Sequence, residues 1–441
     1  RAEATAICPL LAIPNDPQLS GQWYLRNLTN GGKDIRSVGG WAEATGDTNV
    51  VIAIVDSGVD WQHPDLGGSS PNYRRGVIWS NWDEVYGTPG VDDDANGRID
   101  DTRGWDFVTG VTGEPGQDLS TPDNDPMDFE SHGTACAGVA SAITNNGTGI
   151  AGAAWGCKIM PVRVGWLPAG AEVGVVRMDF CSQGMIYAAA NGAKIINCSW
   201  GSTSYLATAV DYCASQGVVI VTSAGNDNDE VASYLGSHPD VLAVAATNQY
   251  DTKASFSSYG SWVELSAPGI DMLTTWYVHG TGTHTYASVA GTSFSSPLTC
   301  GAAALVWSAN PGWPRELVMS HLQNTADNLD ALNPAYAGKL GTGRVNLLRA
   351  LGDRIHEVPE EFPDLFDAFN ECAPGDTIAV RSTTAMTGPI SVPGKALSLL
   401  GGWNAGLTAR DPVASPTVIT ASAGTALSFQ SGAAASTIVD G

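Results

Sequence analysis

Between residues 148 and 305 the chain alternates short apolar runs with longer small-residue runs across short connections, and this alternation restricts the fold more than any other feature. Lys158-Ile159-Met160-Pro161-Val162 is followed by a helix-like stretch over 185–191 and then by Ala193-Lys194-Ile195-Ile196-Asn197-Cys198. A second helix-like stretch over 207–216 leads into Gly217-Val218-Val219-Ile220-Val221-Thr222, and Val241-Leu242-Ala243-Val244-Ala245-Ala246 comes next. Right-handed crossovers lay such strands side by side in parallel, with helices on both faces. Upstream, Val50-Val51-Ile52-Ala53-Ile54-Val55 is continuously apolar, as a strand buried on both faces must be. The fold class expected is α/β, a doubly wound, mostly parallel sheet over residues 46–350. An irregular arm over 1–45 precedes it, with Trp23 and Tyr24 as packing anchors, and a β-rich segment follows over 351–441.

Such sheets place their functional groups at the carboxyl ends of the strands. Asp56 ends the run over 50–55 and is followed by Ser57-Gly58. His132 opens the small-residue helix Ser131-His132-Gly133-Thr134-Ala135-Cys136-Ala137-Gly138, and Asn226 follows a strand in Ser223-Ala224-Gly225-Asn226. Ser293, in Gly291-Thr292-Ser293-Phe294-Ser295-Ser296-Pro297, opens a buried helix that runs through Gly301-Ala302-Ala303-Ala304-Leu305 to about Asn310. Singly, each has an ordinary structural reading as a cap or a turn residue. Together they supply a nucleophile, a base, an acid to orient it and an oxyanion donor.

The polar stretch over 71–130 contains Asp92, Asp94, Asn96, Gly97 and Asp100 at the spacing of an oxygen-ligand calcium loop. Arg103 stands at the twelfth position, which excludes an EF-hand, so the stretch is either a Ca2+ site or a solvated acidic turn. Against 21 basic side chains stand 45 acidic ones, a net charge of -24. That balance argues against nucleic acid or an anionic membrane surface as partner and suits divalent cations or a saline exterior. No apolar run is long enough to span a bilayer. The chain begins at Arg1 without a signal-like segment, and a processed, secreted product is the expectation. The 8 cysteines show no zinc-like spacing and read mostly as buried residues, with Cys8 and Cys372 the one pairing suggested.

Asp56-Ser57-Gly58, His132-Gly133-Thr134, Ser223-Ala224-Gly225-Asn226 and Gly291-Thr292-Ser293-x-x-Ser296-Pro297, with acid, base and nucleophile in the order Asp, His, Ser, resemble the subtilisin-like serine proteases over roughly residues 10–350. The resemblance implies a triad of Asp56, His132 and Ser293, with Asn226 and the Ser293 N–H as oxyanion donors. It implies substrate-binding segments at Ser199-Trp200-Gly201 and Ala224-Gly225, facing a second wall over 165–178. There Trp200 either shapes the pocket for the fourth residue before the cut or is ordinary core. A structural calcium at Asp65 and Asn145, or Asn146, is implied as well. Asp227, Asp229 and Glu230 suggest a basic residue at the cut.

The function expected is a secreted endopeptidase acting on protein or peptide substrates through an acyl-enzyme. A narrow processing protease shares that chemistry, and a surface protein with a vestigial catalytic domain is the reading from another class. In the tail, strand-like runs around 376–380, 396–400, 416–420 and 436–440 recur about every twenty residues. They read as the opening coils of a right-handed parallel β-helix that continues beyond residue 441 and offers a surface or glycan contact, or as a small β-sandwich.

Overall fold

The computed structural model describes residues 13–27, 32–68 and 76–352, and beyond them strand backbones between 355 and 440. The first helix, α1 (Ser37–Glu43), leads into β1 (Val51–Asp56). Next come the one-turn helix α2 (Trp82–Tyr86), β2 (Trp105–Asp106) and α3 (His132–Ser141), then β3 (Lys158–Arg163) and the short antiparallel pair β4 (Gly165–Trp166) and β5 (Val175–Val176). The helix α4 (Met178–Ala190), β6 (Ile195–Cys198), α5 (Ala207–Ser215), β7 (Val219–Ser223), β8 (Val241–Thr247) and β9 (Leu265–Pro268) complete the winding. An antiparallel hairpin, β10 (Met272–Val278) and β11 (Thr283–Val289), precedes the long helix α6 (Thr292–Ala309), and α7 (Arg315–Asn324) and α8 (Leu347–Gly352) follow.

The main sheet has the order β2-β3-β1-β6-β7-β8-β9, and every pairing in it is parallel. Its two faces follow from the period-two alternation of β1. Ile52 and Ile54 enter the core that contains α3 and α6, whereas Val51, Ala53 and Val55 enter the core on the side of α4 and α5. All six β1 residues are buried, which is why the run reads as continuously apolar. The doubly wound expectation over the sheet region therefore holds, and the strand ends converge near Asp56 and Ser223.

Three features depart from the sequence reading. The arm is not irregular throughout, because Ser37–Glu43 is helical. Its packing anchors are nonetheless as expected: Tyr24 is buried and donates its hydroxyl to Leu273 O at 2.7 Å, and the Trp23 indole donates to Ile270 O at 2.9 Å. Helix α4 begins at Met178, well before the periodic stretch at 185, and the β10–β11 hairpin had no clear apolar run to announce it. That hairpin packs half-buried against α3, where Thr274 and Thr275 donate their hydroxyls to Ala135 O and Thr134 O at 2.7 Å each.

The six described cysteines are free and buried, whereas Cys8 and Cys372 lie outside the described residues. In the tail the described strands are β12 (Ile355–Val358), β13 (Thr377–Arg381), β14 (Met386–Thr387), β15 (Ile390–Val392), β16 (Ser398–Trp403), β17 (Ile419–Thr420), β18 (Leu427–Phe429) and β19 (Ile438–Asp440). They pair in parallel as β12-β13-β16-β19, β14-β17 and β15-β18.

Candidate active site

Asp56 is the last residue of β1 and is almost wholly buried. Its Oδ1 lies 2.8 Å from His132 Nδ1 and also accepts the Ser57 N–H at 2.7 Å. The contact requires α3 to start against the end of β1. A Cβ on Gly133 would stand 2.1 Å from Gly58 O and 3.1 Å from the Asp56 Cβ, so only glycine permits this approach. Asp128 fastens the same junction, accepting from Ser57 Oγ at 2.9 Å and from Thr134 Oγ1 at 2.6 Å.

The His132 side chain is 29% exposed and faces a cavity of about 270 Å³ that Ser293 also lines. Burial disfavours its charged form, but the adjoining Asp56 carboxylate outweighs it, and its pKa stands well above 6.5. Cys136 is buried one helical turn along, with Sγ donating to Ser293 O at 3.4 Å.

Ser293 is the second residue of α6. Its main-chain oxygen accepts from Ser199 Oγ at 2.8 Å, and its own hydroxyl is directed at Ser199 O at 3.4 Å. No hydrogen bond joins it to His132 among the described residues in this state. In free enzymes of this kind such bonds are often long and close only around substrate.

Asn226 lies just beyond β7. Its Oδ1 accepts from both the N–H and the hydroxyl of Thr292, each at 2.9 Å. Because a backbone N–H can only donate, this fixes the side-chain oxygen toward Thr292. The amide Nδ2 is thereby left without an acceptor among the described residues, at the start of α6 beside Ser293. The first N–H groups of a helix likewise have no partner within it.

The cavity lies between two walls. Ser199, Trp200 and Gly201 form one, and Gly165 with Val173, Gly174, Val175 and Val176 forms the other, as expected for the segment over 165–178. Trp200 is half-buried and donates its indole N–H to Val55 O at 2.7 Å. Ala224 and Gly225 stand outside this cavity, on the side of Asn226. Sequence reasoning missed Glu130, which also lines the cavity. By contrast, Asp229 accepts from Ser258 Oγ and Glu230 pairs with Lys339 at 2.7 Å, and neither of them nor Asp227 lines it.

The acidic groups sort differently from their spacing. Carboxylate oxygens of Glu84, Asp92 and Asp94 lie within 4.8 Å of one another. Asp100 is not in that group: it adopts φ 55°, and its carboxylate accepts the Gly90 N–H at 2.8 Å. Glu84, from α2, takes the place the spacing gave to Asp100. The Asn96 side chain donates to Asp94 and Asp101, which adds an amide to the same cluster. At the second candidate, Asp65 accepts from Asn146 Nδ2 at 2.8 Å, from the Ile150 N–H and from the Tyr286 hydroxyl. Asn145 instead accepts from the Asn15 N–H at 3.1 Å, so of the two alternatives the fold brings Asn146 to Asp65. Burial pushes the Asp65 carboxyl up to about 6.

The sequence pattern of the Subtilase family matches residues 47–343, the span that carries this sheet and these side chains. The chain belongs to the subtilase family. This subtilase is 35% identical over 341 residues to thermitase of Thermoactinomyces vulgaris, covering 77% of this chain and 99% of that one. It is 35% identical over 356 residues to an extracellular protease of Xanthomonas campestris pv. campestris, covering 78% of this chain and 57% of that one. A solved structure of a protease from Pseudoalteromonas arctica superposes with a TM-score of 0.60 at 26% identity, covering 77% of this subtilase and 98% of that chain. By its family the protein is a serine endopeptidase, a peptide hydrolase of the subtilisin type.

Proposed function

We propose that this subtilase is a secreted endopeptidase that cleaves proteins and peptides through an acyl-enzyme, with Ser293 as nucleophile, His132 as base and Asp56 as the acid that orients it. The observation that carries the reading is the 2.8 Å contact between Asp56 and His132 at the edge of a cavity shared with Ser293. Proton transfer requires the Ser293 hydroxyl to turn from Ser199 O to His132 Nε2. That nitrogen takes the proton as Oγ attacks the peptide carbonyl and returns it to the leaving amine. Water then attacks the acyl-serine by the same route. Asn226 Nδ2 and the Ser293 N–H hold the oxyanion, supported by the way Thr292 turns the Asn226 amide.

Ser199, Trp200 and Gly201 on one side and 173–176 on the other accept the substrate as an extended strand. The surface reading with a vestigial catalytic site finds no support in a site that keeps all four groups. Secretion is supported by the extracellular protease among the relatives and by the net charge of -24.

Calcium is proposed as a structural ion. Glu84, Asp92 and Asp94 offer the all-oxygen donors that a hard divalent cation requires, although backbone N–H groups of 93, 94, 96 and 97 already occupy part of their capacity. Asp65, with Asn146 in place of Asn145, is the second candidate. The chain is proposed to divide into the arm over 1–45, the catalytic domain over 46–350 and a parallel β-helix over 351–441 open to glycan or protein contact. Parallel pairing of the tail strands supports that last part.

Replacing Asn226 with alanine tests the assignment. Removal of one such donor in subtilisin costs about 10²–10³ in kcat. The same loss is expected here with KM little changed, whereas an unaltered kcat/KM toward a peptide ester would dismiss Asn226 as a donor.

A further inference from the structure

Glu130 is an acid in the substrate cavity that the acyl-transfer chemistry does not use. It lies two residues before His132 and half-buried in the wall. Its Oε2 accepts the His132 N–H at 3.1 Å and its Oε1 the Gly174 N–H at 3.4 Å. The carboxylate is therefore held by two backbone N–H groups, one from its own segment and one from the 173–176 wall, so its position does not depend on a flexible partner. Among the described residues no lysine or arginine forms an ion pair with it. Burial raises its carboxyl above the ordinary range, opposed by His132 and reinforced by Asp128 and Asp56. A carboxylate in that condition gains most from a cation brought to it.

The subsite follows from the geometry of an extended chain, whose successive side chains point to opposite sides. In the proposed pose, the residue whose carbonyl meets Ser293 and Asn226 has its side chain on the side of 224–226, away from the cavity that Glu130 lines. The residue before it then points the other way, where His132 and Glu130 stand. Trp200 lines the same cavity and adds an aromatic face of the kind that attracts guanidinium and ammonium groups.

We propose that Glu130 makes the cleft selective for lysine or arginine as the second residue before the scissile bond, by pairing with the substrate cation. This rests on Ser293 being the nucleophile of this cavity. It concerns a different position from the basic residue at the cut that Asp227, Asp229 and Glu230 suggest; of those acids, Asp229 accepts from Ser258 Oγ and Glu230 pairs with Lys339.

The experiment measures kcat/KM for internally quenched peptides identical except for Ala, Lys, Arg or Glu at that position. The wild-type Lys/Ala ratio is expected at about tenfold or more, the size of a charge pair partly shielded from water. It should fall as salt is raised from about 50 to about 500 mM. In Glu130→Gln the ratio collapses toward one, in Glu130→Asp part of it remains, and in Glu130→Lys the Glu peptide becomes preferred. Ratios cancel any overall loss of activity, and the wild-type profile and its salt dependence decide the matter if a variant fails to fold. A wild-type ratio near one, or a ratio that survives in Glu130→Gln, overturns the proposal. Labelling by a serine-directed phosphonate separates the two readings: labelled enzyme without basic preference sinks the selectivity alone, and absence of labelling sinks both.

Discussion

At the scale of single residues, the proposed mechanism turns on His132, whose charge state would govern whether Ser293 can lose a proton. Burial works against the imidazolium, yet the Asp56 carboxylate at 2.8 Å holds its pKa well above 6.5. A base must be neutral to accept a proton, so kcat/KM is expected to rise with pH along a limb centred above 6.5. In Asp56→Asn that limb should move down while kcat falls by about 10⁴, the loss seen when asparagine replaces the acid of a serine-protease triad. A wild-type limb at or below 6.5 would mean that Asp56 does not set the state of His132. These residues were legible in sequence because each stands beside glycine at a strand end or a helix mouth. Glu130 was not, since an acid near a histidine has no spacing signature and shows itself only when 173–176 folds over it.

At the scale of elements, the site depends on how closely α3 and α6 approach, since they carry His132 and Ser293. A Cβ on Gly301 of α6 would stand 2.7 Å from both Ala140 O and the Ala153 Cβ. Gly301→Ala is therefore expected to destabilise the protein by about 1–3 kcal/mol through overpacking, read as a lower denaturation midpoint with a parallel fall in activity. An unchanged midpoint would show that the helices have slack. The small-residue runs of both helices and the continuous apolar strands announced this layer in the sequence. Two elements stayed hidden for physical reasons. The β10–β11 hairpin is only half-buried and lacks a continuous apolar run, and α2 is a single turn whose Glu84 lies too far upstream for any loop template to include it. Asp100 fitted the template but turned to the Gly90 N–H.

At the scale of the molecule, a chain with a net charge of -24 gathers acids on its surface and should use cations to hold them. If Glu84, Asp92 and Asp94 bind calcium only in the folded state, an ion at about 100 times its Kd adds about 2.7 kcal/mol. A chelator should then lower Tm, and Asp92→Ala with Asp94→Ala should shrink the chelator effect to whatever the Asp65 site contributes; a Tm indifferent to chelator would remove the ion from this loop. The broad winding of the sheet was legible because it is written in repeated apolar runs, whereas the pairing of distant loops, Asp65 with Asn146 among them, depends on a packing no local pattern records. The most direct test of the whole reading is to treat the protein with a serine-directed phosphonate and map the adduct by mass spectrometry. One adduct per chain on the peptide containing Ser293, absent in Ser293→Ala and formed far more slowly in His132→Ala, is the result expected. A folded protein that takes no adduct, or takes it on another serine, would contradict it.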